Sequence, residues 1–150
     1  MITPPTLNGQ IIGRAERATR ALLERLLEPI GLSFPQWATL NMLITGGGQV
    51  DGHELTVQVA RGLRVSHDDA VGALAGLVDA GLAIRTPEGV ATVSRSGEQT
   101  FMEVSDGIAE IARHLYGDLL EADLAVAARV LETVTGRADE LLQTAPAGIR

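Results

Sequence analysis

The amino-acid sequence predicts a mainly α-helical protein with one short β-hairpin. Two observations lead to this prediction. Apolar residues recur at helical spacing through most of the 150 residues, and the composition, 45% hydrophobic but only 3% aromatic, is rich in helix-forming leucine and alanine. Between residues 82 and 93, two short extended runs instead flank the tight-turn sequence Thr86-Pro87-Glu88-Gly89.

Helix-start and helix-stop signals predict two helices in the first third of the chain. The first extends over about residues 8–28, where apolar residues alternate with arginine and glutamate, and Pro29 and Gly31 end it. The second begins at Ser33, because Ser33 and Gln36 have the spacing of a capping box. A run of three glycines ends this second helix.

Two more helices are predicted before the hairpin. One begins at Asp51, with Glu54 three residues later, and ends near residues 61–62. Ser66 caps the next helix, whose inward positions are apolar. Gly81 suits the left-handed conformation in which such a helix ends.

The hairpin is predicted from residues 82–85 and 90–93. Ser94 caps a long fifth helix, and a sixth extends over about residues 121–142. The order helix, glycine, hairpin, helix is that of the reading head of a winged helix-turn-helix protein. We therefore predict a single domain, residues 1–150, of the mainly α class, with a winged-helix lobe at about 33–94 and N- and C-terminal dimerisation helices at about 8–28 and 95–143.

The composition excludes several classes of protein. The chain has no cysteine, which excludes disulfides and thiolate metal sites. No signal peptide and no membrane-spanning run is visible, so we expect a cytoplasmic protein without a membrane partner. The net charge is −7, and the predicted reading segment 51–97 is itself acidic, with four arginines and six carboxylates.

Three segments resemble the MarR family of winged helix-turn-helix transcriptional regulators. GLSFPQWATLNML, residues 31–43, is similar to the family's second-helix entry, and LVDAGLAIR, residues 77–85, looks like the end of its recognition helix. VSRSG, residues 93–97, is similar to the segment after the wing, and the resemblance covers about residues 10–143. It implies an obligate homodimer, a recognition helix in the DNA major groove and a wing tip near the minor groove.

On this resemblance the partner is double-stranded DNA. Polar side chains at the start of the recognition helix and flanking arginines are the groups that can contact bases and phosphates. The predicted DNA contacts are Arg61, Arg64, Ser66, His67, Arg85 and Arg95.

The recognition helix departs from the family pattern. Its outward positions carry carboxylates and small or apolar side chains, none of which donates to guanine or phosphate: Asp68, Asp69, Val71, Gly72, Ala75 and Gly76. The wing tip, Pro87-Glu88-Gly89, also has no cation. Either the protein reads an operator through flanking arginines, helix N-termini and DNA shape, or it has lost DNA binding and acts as a dimeric ligand-binding or protein-interaction module.

The resemblance also implies a small aromatic or phenolic ligand, bound between the dimer helices and the lobe. Trp37, His114 and Tyr116 are the residues predicted to contact it. For Trp37 the alternative is a core or interface anchor. For His114 and Tyr116 it is a surface or dimer contact.

No metal site, cofactor or catalytic site is predicted. His53-Glu54 begins like a zinc-protease motif, but Val57 stands where the second histidine would be. His67-Asp68-Asp69 carries metal-binding groups, yet consecutive helical residues point in different directions, so a helix start explains them better. Since no nucleophile–base pair can be proposed either, we expect that the protein is not an enzyme.

Overall fold

A computed structural model describes residues 3–144. Within it the chain divides into two compact units, one up to Ile111 and one from Ala112 onward. The prediction of a mainly α-helical chain with a β-hairpin wing is confirmed. The elements in chain order are α1 (Gly9–Leu27), α2 (Phe34–Thr45), β1 (Gln49–Asp51), α3 (Gly52–Leu63), α4 (His67–Asp79), β2 (Ala83–Arg85), β3 (Val90–Val93), α5 (Arg95–Tyr116) and α6 (Glu121–Thr144).

Side-chain caps fix where α2 and α3 begin. The Ser33 hydroxyl accepts from the Gln36 amide at 3.2 Å, and the Gln36 side-chain oxygen accepts from the Ser33 amide at 2.9 Å, so the predicted capping box is present. The Asp51 carboxylate accepts from the Glu54 amide at 3.0 Å. These bonds satisfy backbone N–H groups that a helix start leaves without an intrahelical partner.

The C-terminal end of α4 turns the chain sharply into the sheet. The Leu82 amide donates to the Leu77 carbonyl at 2.9 Å, and the Gly81 amide donates to the Val78 carbonyl at 3.0 Å. Gly81 adopts a φ of 77°, which a residue without a Cβ reaches at little cost. The Ser94 hydroxyl then donates to the Gly81 carbonyl at 2.6 Å and so ties the start of α5 to this turn.

The wing belongs to a three-stranded antiparallel sheet of order β1-β3-β2. Val50 of β1 lies opposite Ala91, and Ile84 of β2 lies opposite Thr92. The sequence analysis predicted β2 and β3 but not β1. Three residues are too few to show a strand alternation, and their pairing partner lies far along the chain. The extra strand joins the wing to the start of α3.

The first unit is built around a leucine-rich core. Helices α2, α3 and α4 pack against one another, and β3 contacts both α2 and α3. The Trp37 and Phe101 rings stack beside this core with centroids 5.5 Å apart. The largest fully buried side chains are Leu27, Leu40, Leu43, Leu55, Leu74, Leu77, Val59, Val104, Thr39 and Thr56.

The second unit is dominated by α6, none of whose described residues is buried within the single chain. Val126, Val130, Val134 and Leu141 recur at helical spacing and are between 36% and 59% exposed. An apolar helix face of this kind is typical of a protein interface. The dimerisation role of residues 8–28 and 95–143 stays a prediction.

Candidate nucleic-acid interface

Helix α4 has a buried face and an open face of different chemistry. The buried residues are Ala70, Ala73, Leu74 and Leu77, and the exposed ones are His67, Asp68, Asp69, Val71, Gly72, Ala75 and Asp79. A Cβ at Gly72 would meet no neighbour within 4 Å. The open face therefore carries two carboxylates at its N-terminal end and no arginine.

Ser66 and His67 lie exposed at the N-terminal end of α4. The Ser66 hydroxyl oxygen accepts from the Asp69 amide at 3.0 Å, so this residue is first of all a helix cap. That bond leaves the hydroxyl hydrogen to donate elsewhere. Asp68 and Asp69 fill the first turn, where the helix dipole favours negative charge. The acidic character of α4 thus has a structural explanation.

Three of the four predicted arginines are exposed around the turn from α3 to α4 or at the start of α5. Arg61 lies in the last turn of α3, and Arg64 ends that helix in the left-handed region, with φ 55° and ψ 45°. Arg95 is the first residue of α5. Two arginines thus stand at the end of α3, just before α4 in the chain.

Arg85 lies at the base of the wing. The Gly52 amide, at the start of α3, donates to the Gly89 carbonyl at 2.8 Å. A Cβ at Gly52 would stand 2.7 Å from that carbonyl oxygen and 2.9 Å from a guanidinium nitrogen of Arg85, so only glycine fits there. Arg85 therefore packs against the start of α3, and the exposed wing tip at Glu88 remains without a cation.

His53 contacts a candidate site residue, His67, and was not among the predicted DNA contacts. Its ring and that of His67 have centroids 5.8 Å apart and cross at 61°. Both side chains are exposed, and each follows a helix cap at the start of α3 or α4. That position was the available signal, but nothing local in the sequence indicates that the two helix starts meet.

A groove of about 710 Å³ opens between α1, the start of α2 and the α3–α4 turn. The Arg20 guanidinium lies 4.6 Å from the centre of the Phe34 ring and also pairs with Glu16. Leu63 and Val65, on either side of Arg64 in sequence, also line the groove. The full lining is Arg20, Ala21, Glu24, Arg25, Glu28, Leu32, Ser33, Phe34, Pro35, Leu63 and Val65.

None of the three predicted ligand contacts lines this groove. Trp37 is only 6% exposed and stacks on Phe101, which gives it a packing role in the core. His114 and Tyr116 lie exposed near the end of α5, in the second unit. Their contact with a ligand stays a prediction.

Two further findings concern residues 3–144. They contain no group of three or more histidine, aspartate or glutamate side chains arranged to hold a metal ion. None of their helices combines the length and the apolar character needed to cross a membrane.

The fold has many counterparts among solved structures, whereas no family model and no curated protein matches the chain. The reduced form of MarR from E. coli is 17% identical, with 87% of this chain and 95% of that chain covered at a TM-score of 0.69. NadR in complex with 4-hydroxyphenylacetate is 20% identical over 87% of this chain and 96% of that one, with a TM-score of 0.71.

A MarR family protein of Mycobacterium tuberculosis in complex with salicylic acid is 22% identical. The similarity covers 99% of that chain and 87% of this one, with a TM-score of 0.64. Other neighbours are MarR family transcriptional regulators, and the similarity extends over nearly the whole of each. The resemblance inferred from the sequence is thus confirmed at the level of structure: the chain has the winged-helix fold of the MarR family of regulators.

Proposed function

We propose that this protein is a dimeric, DNA-binding transcriptional regulator whose affinity for DNA is modulated by a small aromatic ligand. The observation that carries the proposal is the complete reading head. Helix α4 is capped and presents an open face, and the Gly52–Gly89 hydrogen bond holds the wing on the start of α3. This arrangement supports docking of α4 in a major groove of DNA. In this proposal the protein acts in the cytoplasm.

Affinity in this proposal comes mainly from the DNA backbone. The open face of α4 has no group that donates to guanine, whereas Arg61, Arg64 and Arg95 are exposed cations. Each phosphate that an arginine neutralises steepens the salt dependence of binding by about 0.9 in log–log slope. Specificity then depends on DNA shape and on the few polar groups at the start of α4.

The test is fluorescence anisotropy with a duplex from the intergenic region upstream of the protein's own gene and a scrambled duplex of equal length. Arg61→Gln and Arg64→Asn should each lower the affinity and reduce the salt slope by about 0.9. Asparagine is chosen at position 64 because it tolerates the left-handed backbone. Arg129→Gln, an equal charge change on α6, is the matched control and should leave the slope unchanged.

A second candidate function is favoured by Asp68 and Asp69. Two carboxylates on the open face of α4 repel a phosphate backbone, and this suits a dimer that binds a ligand or a protein instead of DNA. Equal binding of the upstream and scrambled duplexes, with no effect of either arginine change, would favour this second function over the first.

The groove beside α1 is the proposed ligand site. Its volume of about 710 Å³ lies in the range of small-molecule pockets. The Arg20 guanidinium and the Phe34 ring offer a cation and an aromatic face to one ligand, which suits an aromatic carboxylate such as the salicylic acid and 4-hydroxyphenylacetate of the neighbours. Because Leu63 and Val65 flank Arg64, an occupied groove would shift the turn that leads into α4.

Thermal denaturation with salicylate and 4-hydroxyphenylacetate tests the ligand site. A ligand that binds the native state raises the melting temperature, and Arg20→Gln should abolish most of that rise. The variant also loses an exposed pair with Glu16, which is worth only about 0.3–0.5 kcal/mol. Ligand quenching of Trp37 fluorescence that survives in Arg20→Gln would instead favour a ligand contact at Trp37.

A further inference from the structure

Helix α4 contains two glycines one turn apart, and their surroundings differ. A Cβ at Gly72 would meet nothing within 4 Å, and this residue is exposed. A Cβ at Gly76 would overlap the side-chain nitrogen of Gln36 and stand 3.2 Å from its Cδ and 3.6 Å from its Cγ. A side chain from α2 therefore occupies the space that any other residue at position 76 would need.

The Gln36 side chain is held in this position by the start of α2. Its Oε1 accepts from the Ser33 amide at 2.9 Å, and its backbone amide donates to the Ser33 hydroxyl at 3.2 Å. The side-chain oxygen and nitrogen belong to one carboxamide, so the bond to Ser33 also fixes the nitrogen against Gly76. The capping box of α2 thus makes a second contact, and that contact is with α4.

The residues of α4 make its position dependent on contacts of this kind. Glycine is a poor residue in a helix interior, and α4 holds two. Two of its four buried residues, Ala70 and Ala73, are alanines, whose small side chains interlock little with a neighbouring helix. The Gln36 carboxamide against Gly76 adds a contact of defined shape where α4 packs on α2.

The position of α4 matters because the cations of the lobe lie on other elements. The open face of α4 carries no arginine, whereas Arg61 and Arg64 stand at the end of α3 and Arg95 at the start of α5. Recognition of DNA by shape requires that such cations meet phosphates while α4 lies in the groove. A different tilt of α4 would change which duplex geometry fits, without removing any cation.

We propose that Gln36 is a positioning residue for DNA recognition, which sets the position of α4 on α2 and thereby determines specificity. This inference rests on the proposed DNA binding and adds a residue that acts through Gly76. Replacement of Gln36 removes no cation, so the attraction of the arginines for any phosphate backbone should persist. What should fall is the ratio of the affinities for the upstream duplex and the scrambled duplex.

The experiment measures this ratio by fluorescence anisotropy with the full chain over a range of salt concentrations. Gln36→Ala should lower the affinity for the upstream duplex about tenfold, an effect of the size that contacting residues often show. Its affinity for the scrambled duplex and its salt slope should stay as in the wild type. Gln36→Glu keeps the length of the side chain and an acceptor for the Ser33 amide, so it should restore most of the ratio.

Gly76→Ala tests the same contact from the side of α4. Its methyl group overlaps the Gln36 carboxamide, so the ratio should fall here as well. In the double variant, Gln36→Ala with Gly76→Ala, this overlap is absent, so the two losses should not add. Gly72→Ala, the same change in open space, controls for helix propensity and should raise the melting temperature, which Gly76→Ala should not.

The possible results are distinct, and circular dichroism verifies that each variant is folded. An equal loss of affinity for both duplexes in Gln36→Ala would mean that Gln36 only stabilises the lobe, and this overturns the inference while leaving DNA binding intact. An unchanged ratio, a ratio that stays low in Gln36→Glu, or additive losses in the double variant overturn it too.

A wild type that binds neither duplex, or binds both equally, overturns the proposed function itself and the inference with it. A reduced ratio in Gln36→Ala and Gly76→Ala, with a wild-type salt slope and recovery in Gln36→Glu, supports the positioning role of Gln36.

Discussion

The winged-helix lobe and α6 differ in how far their apolar side chains are buried. Within the lobe, leucines from α2, α3 and α4 are fully buried in a single chain. In α6, apolar side chains at helical spacing stay at least partly exposed, and none of the helix's described residues is buried. One region finds its packing partners within the chain, while the other has a long apolar face that single-chain packing leaves open.

The difference suggests two distinct sources of stability. The lobe is stabilised by contacts that form within one molecule. Its stability is therefore independent of protein concentration. A helix whose apolar face packs against a second copy is stabilised only when the two chains associate, so its contribution depends on concentration. A two-fold dimer is the commonest arrangement that buries such a face.

The largest expected effect is that of Leu77→Ala in α4. Leu77 is 0% exposed, and removing a buried leucine side chain costs about 2–5 kcal/mol of the free energy of unfolding. Urea denaturation measures this loss. Leu141→Ala in α6 is the matched control: Leu141 is 59% exposed, so in dilute protein its cost should be within about 0.5 kcal/mol. Equal losses for both, at every protein concentration, would contradict the comparison.

The second effect should appear in association rather than in folding. Val130→Glu puts a carboxylate on the apolar face of α6, where a dimer would leave it buried and without a partner. We expect the dimer dissociation constant to rise at least about tenfold, or 1.4 kcal/mol, by sedimentation equilibrium. Ala125→Glu, on the opposite side of the same helix, should change it little. If both variants dissociate to the same degree, the apolar face is not the interface.

Local signals explain why so much of the lobe could be predicted. A cap such as Ser33 or Ser66 bonds to an amide three residues later, so both partners stand in one short segment of sequence. Gly81 and the apolar residue after it mark the end of α4 in the same way. Each of these features was expected from the sequence and is present in the structure.

What could not be predicted depends on residues far apart in the chain. Strand β1 exists because Val50 pairs with Ala91, and the histidine contact exists because the starts of α3 and α4 meet. The groove depends on how α1 packs against the α3–α4 turn. None of these contacts depends on residue spacing within one segment, so periodicity and capping patterns do not predict them.

A smaller effect is expected at the cap of α4. Ser66→Ala removes the acceptor for the Asp69 amide and should cost about 0.5–2 kcal/mol of the free energy of unfolding. Ser66→Asp keeps an acceptor there and should recover most of this loss. Thermal denaturation compares both variants with the wild type, and a Ser66→Ala protein that melts at the wild-type temperature would mean that the cap contributes nothing to the lobe.

The smallest effect separates stability from DNA binding within one helix. Asp68 lies in the first turn of α4, where the dipole favours an acid, whereas Asp79 is its last residue, where the dipole opposes one. Asp68→Asn should therefore lower the free energy of unfolding by about 0.3–1 kcal/mol, and Asp79→Asn, with the same change in charge, should raise it by a similar amount.

DNA affinity should not follow stability in these two variants. Asp68 is exposed at the end of α4 that would enter the groove, so its neutralisation removes a repulsion from phosphate even as it weakens the helix. Tighter DNA binding by the less stable Asp68→Asn protein, measured by anisotropy, would show that this carboxylate serves the helix start at the expense of affinity. If Asp79→Asn raised the affinity equally, the gain would reflect net charge alone, and the orientation of α4 toward DNA would lose its support.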